Sequence, residues 1–301
     1  SNQSKCVRVY TRIKTMKIIH KAAKFGGKQN QMFYHERYGN YKEFYDTVMA
    51  RQSRAHRTLE GILSDGGTGW VGVNSVEQAQ DLFLNGWQQN VEKMKVAFKK
   101  ELDCLEHDRP RKMVANVAGF IPIVPNALLG LPKSMIDVKF APKKSKILNF
   151  MVSIDRSCGN DVETIIKKMT KIFAYIAMLE RSGQYRCRIE VFFTAYGDSS
   201  RNGTNTSASV LIKSENQLFD IKRLCFPIIH PAMLRLFMFA WNECLPLDYS
   251  DYRVGGYGCS FEHWSEEYKK DFINMVNETG QKTICLDLHS NIEEVLGKEV
   301  A

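Results

Sequence analysis

Asp155 and Ser157 stand two residues apart where the apolar run NFMVSI gives way to a polar turn, NFMVSIDRSCGND (149–161). A carboxylate with a hydroxyl two positions on can share one hard cation, because Mg²⁺ and Ca²⁺ take oxygen ligands. The same residues can instead hold a tight turn, with Asp155 and Ser157 accepting backbone N–H groups and Asn160 capping a helix. Thr194 and Asp198 end a second apolar run, CRIEVFFTAYGD, and Asp287 ends a third, KTICLDL. In open α/β sheets, ligands sit outside the carboxyl ends of the strands. That rule makes Asp155, Ser157 and Asp198 the candidate donors for Mg²⁺ or Ca²⁺. Cys158 before a helix start, with His230 far along the chain, is a weaker nucleophile–base pairing, since nothing in the sequence brings the two together.

A second chemistry is charge. The formal net charge of +9 divides into +12 over residues 1–150 and −3 over residues 151–301. Lys14, Lys17 and Lys21 belong to a basic opening segment that reads as an amphipathic helix or an arm ordered by a partner. Arg51, Arg54 and Arg57 recur every third residue beside the aromatic tract MFYHERYGNYKEFY, and on one helix they would share a face. Bases interleaved with aromatics can neutralise and stack single-stranded nucleic acid. The expected partner of the N-terminal half is therefore nucleic acid or an acidic protein. The competing reading is a solvated basic arm and an ordinary aromatic core.

The elements that must position these residues follow from periodicity. ILNFMVSI reads as a strand, and DVETIIKKMTKIFAYIAMLERSG places Val162, Ile165, Ile166, Met169, Ile172, Phe173 and Ile176 on one helical stripe. CRIEVFFTAYGD and SASVLIKS read as further strands, and KTICLDL as the last one. QLFDIKRLCFPIIHPAMLRLFMFAWNEC reads as helix on both sides of a His230-Pro231 break, and EEYKKDFINMVNETG as helix. Upstream, Ser75-x-x-Gln78 opens a short helix that Gly86 stops, residues 91–111 form a longer one, and 63–72 reads as a turn. The window VANVAGFIPIVPNALLGLP (114–132) is the most apolar, but its three prolines break any continuous span, so it reads as buried loop and short strand. No apolar stretch follows the N-terminal bases as a signal peptide would need. Eight cysteines without a C-x-x-C pair suit a reducing cytoplasm better than a disulfide framework.

The turn Ile154-Asp155-Arg156-Ser157-Cys158-Gly159, on a strand followed by a helix and a strand, resembles a von Willebrand factor A-type domain. That family carries Asp-x-Ser-x-Ser at this point. Asp155 and Ser157 match, and Gly159 stands in place of the second serine. The resemblance covers residues 147–200 and implies a divalent cation used to engage a protein partner. Over residues 67–290 the chain also resembles uncharacterised tailed-phage and prophage proteins, through Gly86-Trp87, NVAGFIPIVPNALLGLPKSM, VSIDRSCGND and the HPAMLR segment with Tyr257-Gly258.

The expected fold is thus an α/β domain with a mostly parallel sheet flanked by helices, von Willebrand A- or Rossmann-like, over residues 147–301. Residues 1–66 are expected as a basic, aromatic-rich N-terminal region that is largely helical, and 67–146 as a small helix-rich unit with a Pro/Gly-rich loop. The expected function is that of a phage-derived accessory protein in the cytoplasm, of the host cell where viral. It would bind or assemble rather than turn over a substrate. The alternative is a metal-dependent hydrolase or nuclease using Asp155 and neighbouring acids.

Overall fold

The computed structural model describes residues 17–25, 28–103, 111–140, 146–155, 162–181, 183–195, 204–247, 261, 264–277, 283–288, 290–291 and 294–295. Nine strands are present among them: β1 (Lys17–Phe25), β2 (Lys28–Tyr38), β3 (Arg111–Asn116), β4 (Ile121–Pro122), β5 (Met135–Phe140), β6 (Lys146–Ser153), β7 (Tyr185–Ala195), β8 (Thr204–Lys213) and β9 (Thr283–Leu286). Six form one sheet in the order β1-β2-β8-β7-β6-β9, and the other three form a small antiparallel sheet, β3-β5-β4. In the large sheet β6 pairs parallel with both β7 and β9, and β2 pairs parallel with β8. The pairs β1/β2 and β7/β8 are antiparallel. The expectation of an α/β fold with a mostly parallel sheet holds, since three of the five pairings in this mixed sheet are parallel.

Helices α1 (Tyr41–Arg51), α2 (Leu59–Gly66), α3 (Thr68–Val71), α4 (Val76–Asn85) and α5 (Gln88–Asp103) follow the first hairpin. A short α6 (Val124–Leu128) lies within the small sheet unit, and α7 (Val162–Arg181) is the crossover between β6 and β7. Then come α8 (Ile221–Ile229), a π-helical turn (Met233–Met238) running into α9 (Phe239–Glu243), and α10 (Glu266–Val276). Local chemistry sets several of these limits. Ser75 Oγ accepts from the Gln78 amide at 3.1 Å while Gln78 Oε1 accepts from the Asn74 amide at 2.7 Å, which fixes the start of α4. Gly86 ends it at φ 82°, and a Cβ there would lie 2.8 Å from the Lys222 carbonyl oxygen. The helix breaks at His230 as Pro231 requires, and the freed ring of His230 takes the Ala232 amide on Nδ1 at 3.1 Å.

Two apolar clusters cover the two faces of the large sheet. One packs α7, α8, α9 and the N-terminal helices against Tyr34, Phe150, Val152, Val191, Phe193 and Val210. The other is smaller and lies under α10, where Phe272 and Met275 meet Phe33, Met151 and Phe192. Successive strand residues point to opposite faces, so Asp155, Thr194, Ser207 and His35 fall on the α10 side with that smaller cluster.

Four expectations need correcting. The basic segment from Lys17, expected as an amphipathic helix or an arm, forms with β2 a β-hairpin that adds two strands to the sheet of residues 147–301, and the expected helices of the N-terminal region begin at Tyr41. Arg51, Arg54 and Arg57 share no helix: α1 ends at Arg51, Arg54 sits in a single 3₁₀ turn (Gln52–Arg54), and Arg57 precedes α2. The 63–72 tract is helical at both ends of Gly67 rather than one turn. Finally, the 114–132 window is not buried. Proline and asparagine do cut it into short pieces as expected, but its apolar side chains face outward.

Candidate functional site

The carboxyl ends of β6 and β7 place Asp155 opposite Thr194. Asp155 is buried, and its carboxylate accepts from the Thr194 amide at 3.0 Å and 3.2 Å and from the Thr194 hydroxyl at 2.5 Å. Both oxygens are therefore engaged in tying the ends of the two parallel strands together. The register continues this polar row across the sheet, since Thr194 faces Ser207 and Ser207 faces His35. His35 Nε2 lies 3.3 Å from Ser209 Oγ, and its ring stacks on Phe33 and meets the edge of Phe272. Burial, with Arg37 nearby, pushes the His35 imidazole down to about 3, so it is neutral at ordinary pH.

Asp287, just past β9, bonds Ser290 through Oδ1 at 2.8 Å and Lys269 through Oδ2 at 3.4 Å. Burial opposes the charge on Lys269, but Asp287 and Glu266 outweigh it and raise its ammonium above the ordinary lysine value. Cys285 lies beside these acids. Burial and then Asp287 push its thiol well up, so it is a poor nucleophile. Glu190 sits four residues before Thr194 on β7, roughly 13 Å along the strand, and is clamped by Arg37 at 2.5 Å and Arg188 at 3.0 Å.

Among the described residues no three of His, Cys, Asp and Glu gather closely enough to hold a metal ion. Ser157 and Asp198 lie outside the described residues. Of the carboxylates at these strand ends, Asp155 has both oxygens engaged by Thr194 and Asp287 has its two on Ser290 and Lys269.

The basic residues divide in a similar way. Arg51 donates to both oxygens of the fully buried Glu36, at 3.0 Å and 2.9 Å. Glu36 also accepts from the hydroxyls of Tyr34 and Tyr38 and from Trp241 Nε1 at 2.7 Å. Burial alone would raise the Glu36 carboxyl, but Arg51 and the tyrosine hydrogen bonds prevail and lower it. The tyrosines move the other way: burial and the adjacent Glu36 raise both. Arg57 bridges the buried Glu243 at 3.2 Å and Asp65 at 2.7 Å. Arg51 and Arg57 thus hold the fold from within, and of the three arginines only Arg54 is exposed. Arg235, a further base, bonds the Trp70 carbonyl at 2.8 Å and lies over the Trp70 ring. Lys17 and Lys21 lie on edge strand β1, and Lys14 falls outside the described residues.

The most unusual surface belongs to residues 111–140. Twelve large apolar residues are prominently exposed in the described chain, and eight of them are here: Met113, Val117, Phe120, Ile121, Val124, Leu128, Leu129 and Leu131. Leu128 is 83% exposed and Leu129 74%. The unit is nonetheless well ordered by polar bonds. Asn116 Nδ2 reaches Asp137 at 3.0 Å, Asn126 Nδ2 the Lys133 carbonyl at 3.0 Å, and the Phe120 amide the Ile136 carbonyl at 2.9 Å. Gly119 makes the last contact feasible, because a Cβ there would lie 2.1 Å from that same oxygen. Backbone and asparagine side-chain bonds hold the unit, and these eight apolar side chains are left exposed.

The chain belongs to the family described as a domain of unknown function (DUF7192), whose model matches residues 19–289. No curated protein and no solved structure matches it.

Sequence reasoning missed the Glu36 knot and the outward face of 111–140. The first had a local signal: Tyr34-x-Glu36-x-Tyr38 is period-two and puts three polar groups on one strand face. The second had only its apolar composition, which does not say what covers it.

Proposed function

We propose that this chain is a binding or assembly module, and that the apolar face of residues 111–140 seats a protein partner. The observation that carries this reading is the concentration of eight exposed large apolar residues in one ordered thirty-residue unit. Exposed apolar residues concentrated in this way mark interaction sites in soluble proteins. The face suits a protein surface better than nucleic acid because exposed apolar side chains outnumber its bases (Arg111, Lys112, Lys133 and Lys139), and Arg51 and Arg57 are committed internally.

The finer reading is a von Willebrand A-like accessory protein of phage origin, working in the cytoplasm. It is supported by the parallel β6–α7–β7 crossover with Asp155 at its turn, by β8 running back along β7, and by β9 on the far side of β6. The phage origin rests on the sequence segments named above. No single helix among the described residues is long and apolar enough to cross a membrane.

Sedimentation velocity over a concentration series tests the assembly reading, with wild type against Leu128→Ser/Leu129→Ser. Burying a leucine is worth about 2 kcal/mol, so the pair should weaken association roughly a thousandfold. If wild type stays monomeric and both proteins capture the same partners from a lysate of the source cells, the face has no such role.

A further inference from the structure

A cleft of about 780 Å³ opens between the start of α1, the end of α4 and the start of α8. Ligand pockets run from ~300 to 1,000 Å³. Its floor is apolar: the half-buried Tyr41, Leu211 and Ile212 and the exposed Leu84 face it, and the buried Phe83, Phe226 and Pro227 support them from beneath, with Tyr41 and Phe83 stacked as parallel rings 3.8 Å apart. Its rim is charged, with Lys42, Lys222 and Arg223 against Asp220. Lys42 already bonds Asp46 at 2.7 Å, and Asp220 accepts the Lys222 amide at 2.9 Å as the cap of α8. The side chains of Lys222 and Arg223 are exposed and meet no acid among the described residues. Gly86 closes one end of the cleft, because without a side chain it lets α4 abut the Lys222 carbonyl. A smaller hollow of about 250 Å³ shares Ile212, Gln217, Asp220 and Arg223, so Asp220 and Arg223 both stand between the two.

We propose that this cleft binds a small organic anion with an apolar body, such as an aromatic carboxylate or phosphate monoester. The apolar part rests on Tyr41, Leu84 and Ile212, and the anionic group meets Lys222 and Arg223. Two exposed cations that pair with no acid among the described residues favour an anion over a neutral ligand, and the apolar floor favours an apolar body over free phosphate. The site is separate from the 111–140 face and does not depend on its role.

The probe is 8-anilinonaphthalene-1-sulfonate, an aromatic anion whose fluorescence rises on binding, titrated into the full chain. Lys222→Glu/Arg223→Glu should lower its affinity at least tenfold, phenyl phosphate should displace it, and benzyl alcohol should not. Because the dye can also wet the 111–140 face, Leu128→Ser/Leu129→Ser is titrated in parallel and should keep the displaceable component. Matching thermal melts establish that the charge-reversed protein is folded; if it is not, Lys222→Gln/Arg223→Gln replaces it with the same expected direction. Wild-type affinity in the charge variant overturns the proposal, and so does complete loss of binding in the leucine variant.

Discussion

Arg51→Met isolates what the buried Glu36 knot contributes. In the wild type Glu36 is fully buried and Arg51 donates to both its oxygens. The substitution leaves the carboxylate with three neutral donors: the Tyr34 and Tyr38 hydroxyls and the Trp241 indole. Removing one partner of a buried pair costs about 3–5 kcal/mol. The Arg51 side chain retains 20% exposure, which places the expectation at the lower end of that range. For a chain of this length about 1 kcal/mol corresponds to roughly 2 °C, so Tm should fall by about 6 °C or more.

The pH dependence carries the sharper test. In the wild type the folded Glu36 carboxyl is lowered from 4.5, so its contribution is present above that value and is lost as pH falls through the folded one. Without Arg51, burial dominates and the folded carboxyl rises above its unfolded value. Its penalty is then greatest near neutrality and is relieved by protonation as the pH falls. The stability gap between the two proteins should therefore narrow from pH 7 to pH 5. Thermal melts followed by circular dichroism at both pH values measure it. A gap below about 1 kcal/mol at pH 7, or one that does not change with pH, refutes the reasoning.

Other outcomes follow from the same geometry. Asp155→Asn should cost about 1–3 kcal/mol in denaturant titrations, because it removes the charge that strengthens both bonds and sets an Nδ2 donor where Oδ1 now faces the Thr194 amide. Adding Mg²⁺ or Ca²⁺ should leave the wild-type Tm unchanged, and a rise that Asp155→Asn abolishes would restore the cation site. His35 is lowered from 6.5 to about 3, so its contribution is full above 6.5 and is lost as the pH falls towards 3; His35→Phe should flatten the stability profile over that window. Gly86→Ala should destabilise by about 1–3 kcal/mol, read from the melting curve, since its φ is positive and its Cβ meets the Lys222 carbonyl. Burial pushes the Cys187 and Cys225 thiols up to about 12 and Cys244 to about 11, so maleimide should label these three only after unfolding, as peptide mapping will show.

Much of the second half was legible because its elements carry one period each. The stripe of α7, the break at His230-Pro231 and the polar end of β6 all follow from residues within a few positions of one another. The first half was harder because polar groups occupy both faces of β2. Met32 to Tyr38 alternates Phe33, His35 and Arg37 on one side with Tyr34, Glu36 and Tyr38 on the other, which blurs the usual signal of a strand. What makes those groups tolerable inside is distant in the chain: Trp241 for Glu36, Ser209 for His35, Glu190 for Arg37. The same distance hid the roles of Arg51 and Arg57, whose surface-like spacing conceals buried acids as partners. Asp155 was correctly placed at the carboxyl end of a strand, yet its engagement by Thr194 depends on the register of β6 against β7.

The parallel pairing of β2 with β8 also sets an order of events during synthesis. The hairpin of β1 and β2 emerges early, but its neighbour in the sheet begins about 165 residues after β2 ends. At about 5–20 residues per second, the edge of β2 waits roughly ten to thirty seconds for that partner. Through this interval Tyr34, Glu36 and Tyr38 also lack Trp241, the last member of their knot. A nascent chain halted before Thr204 would therefore display an unpaired strand edge and an unfinished ion cluster together, the conditions under which a chaperone has most to hold.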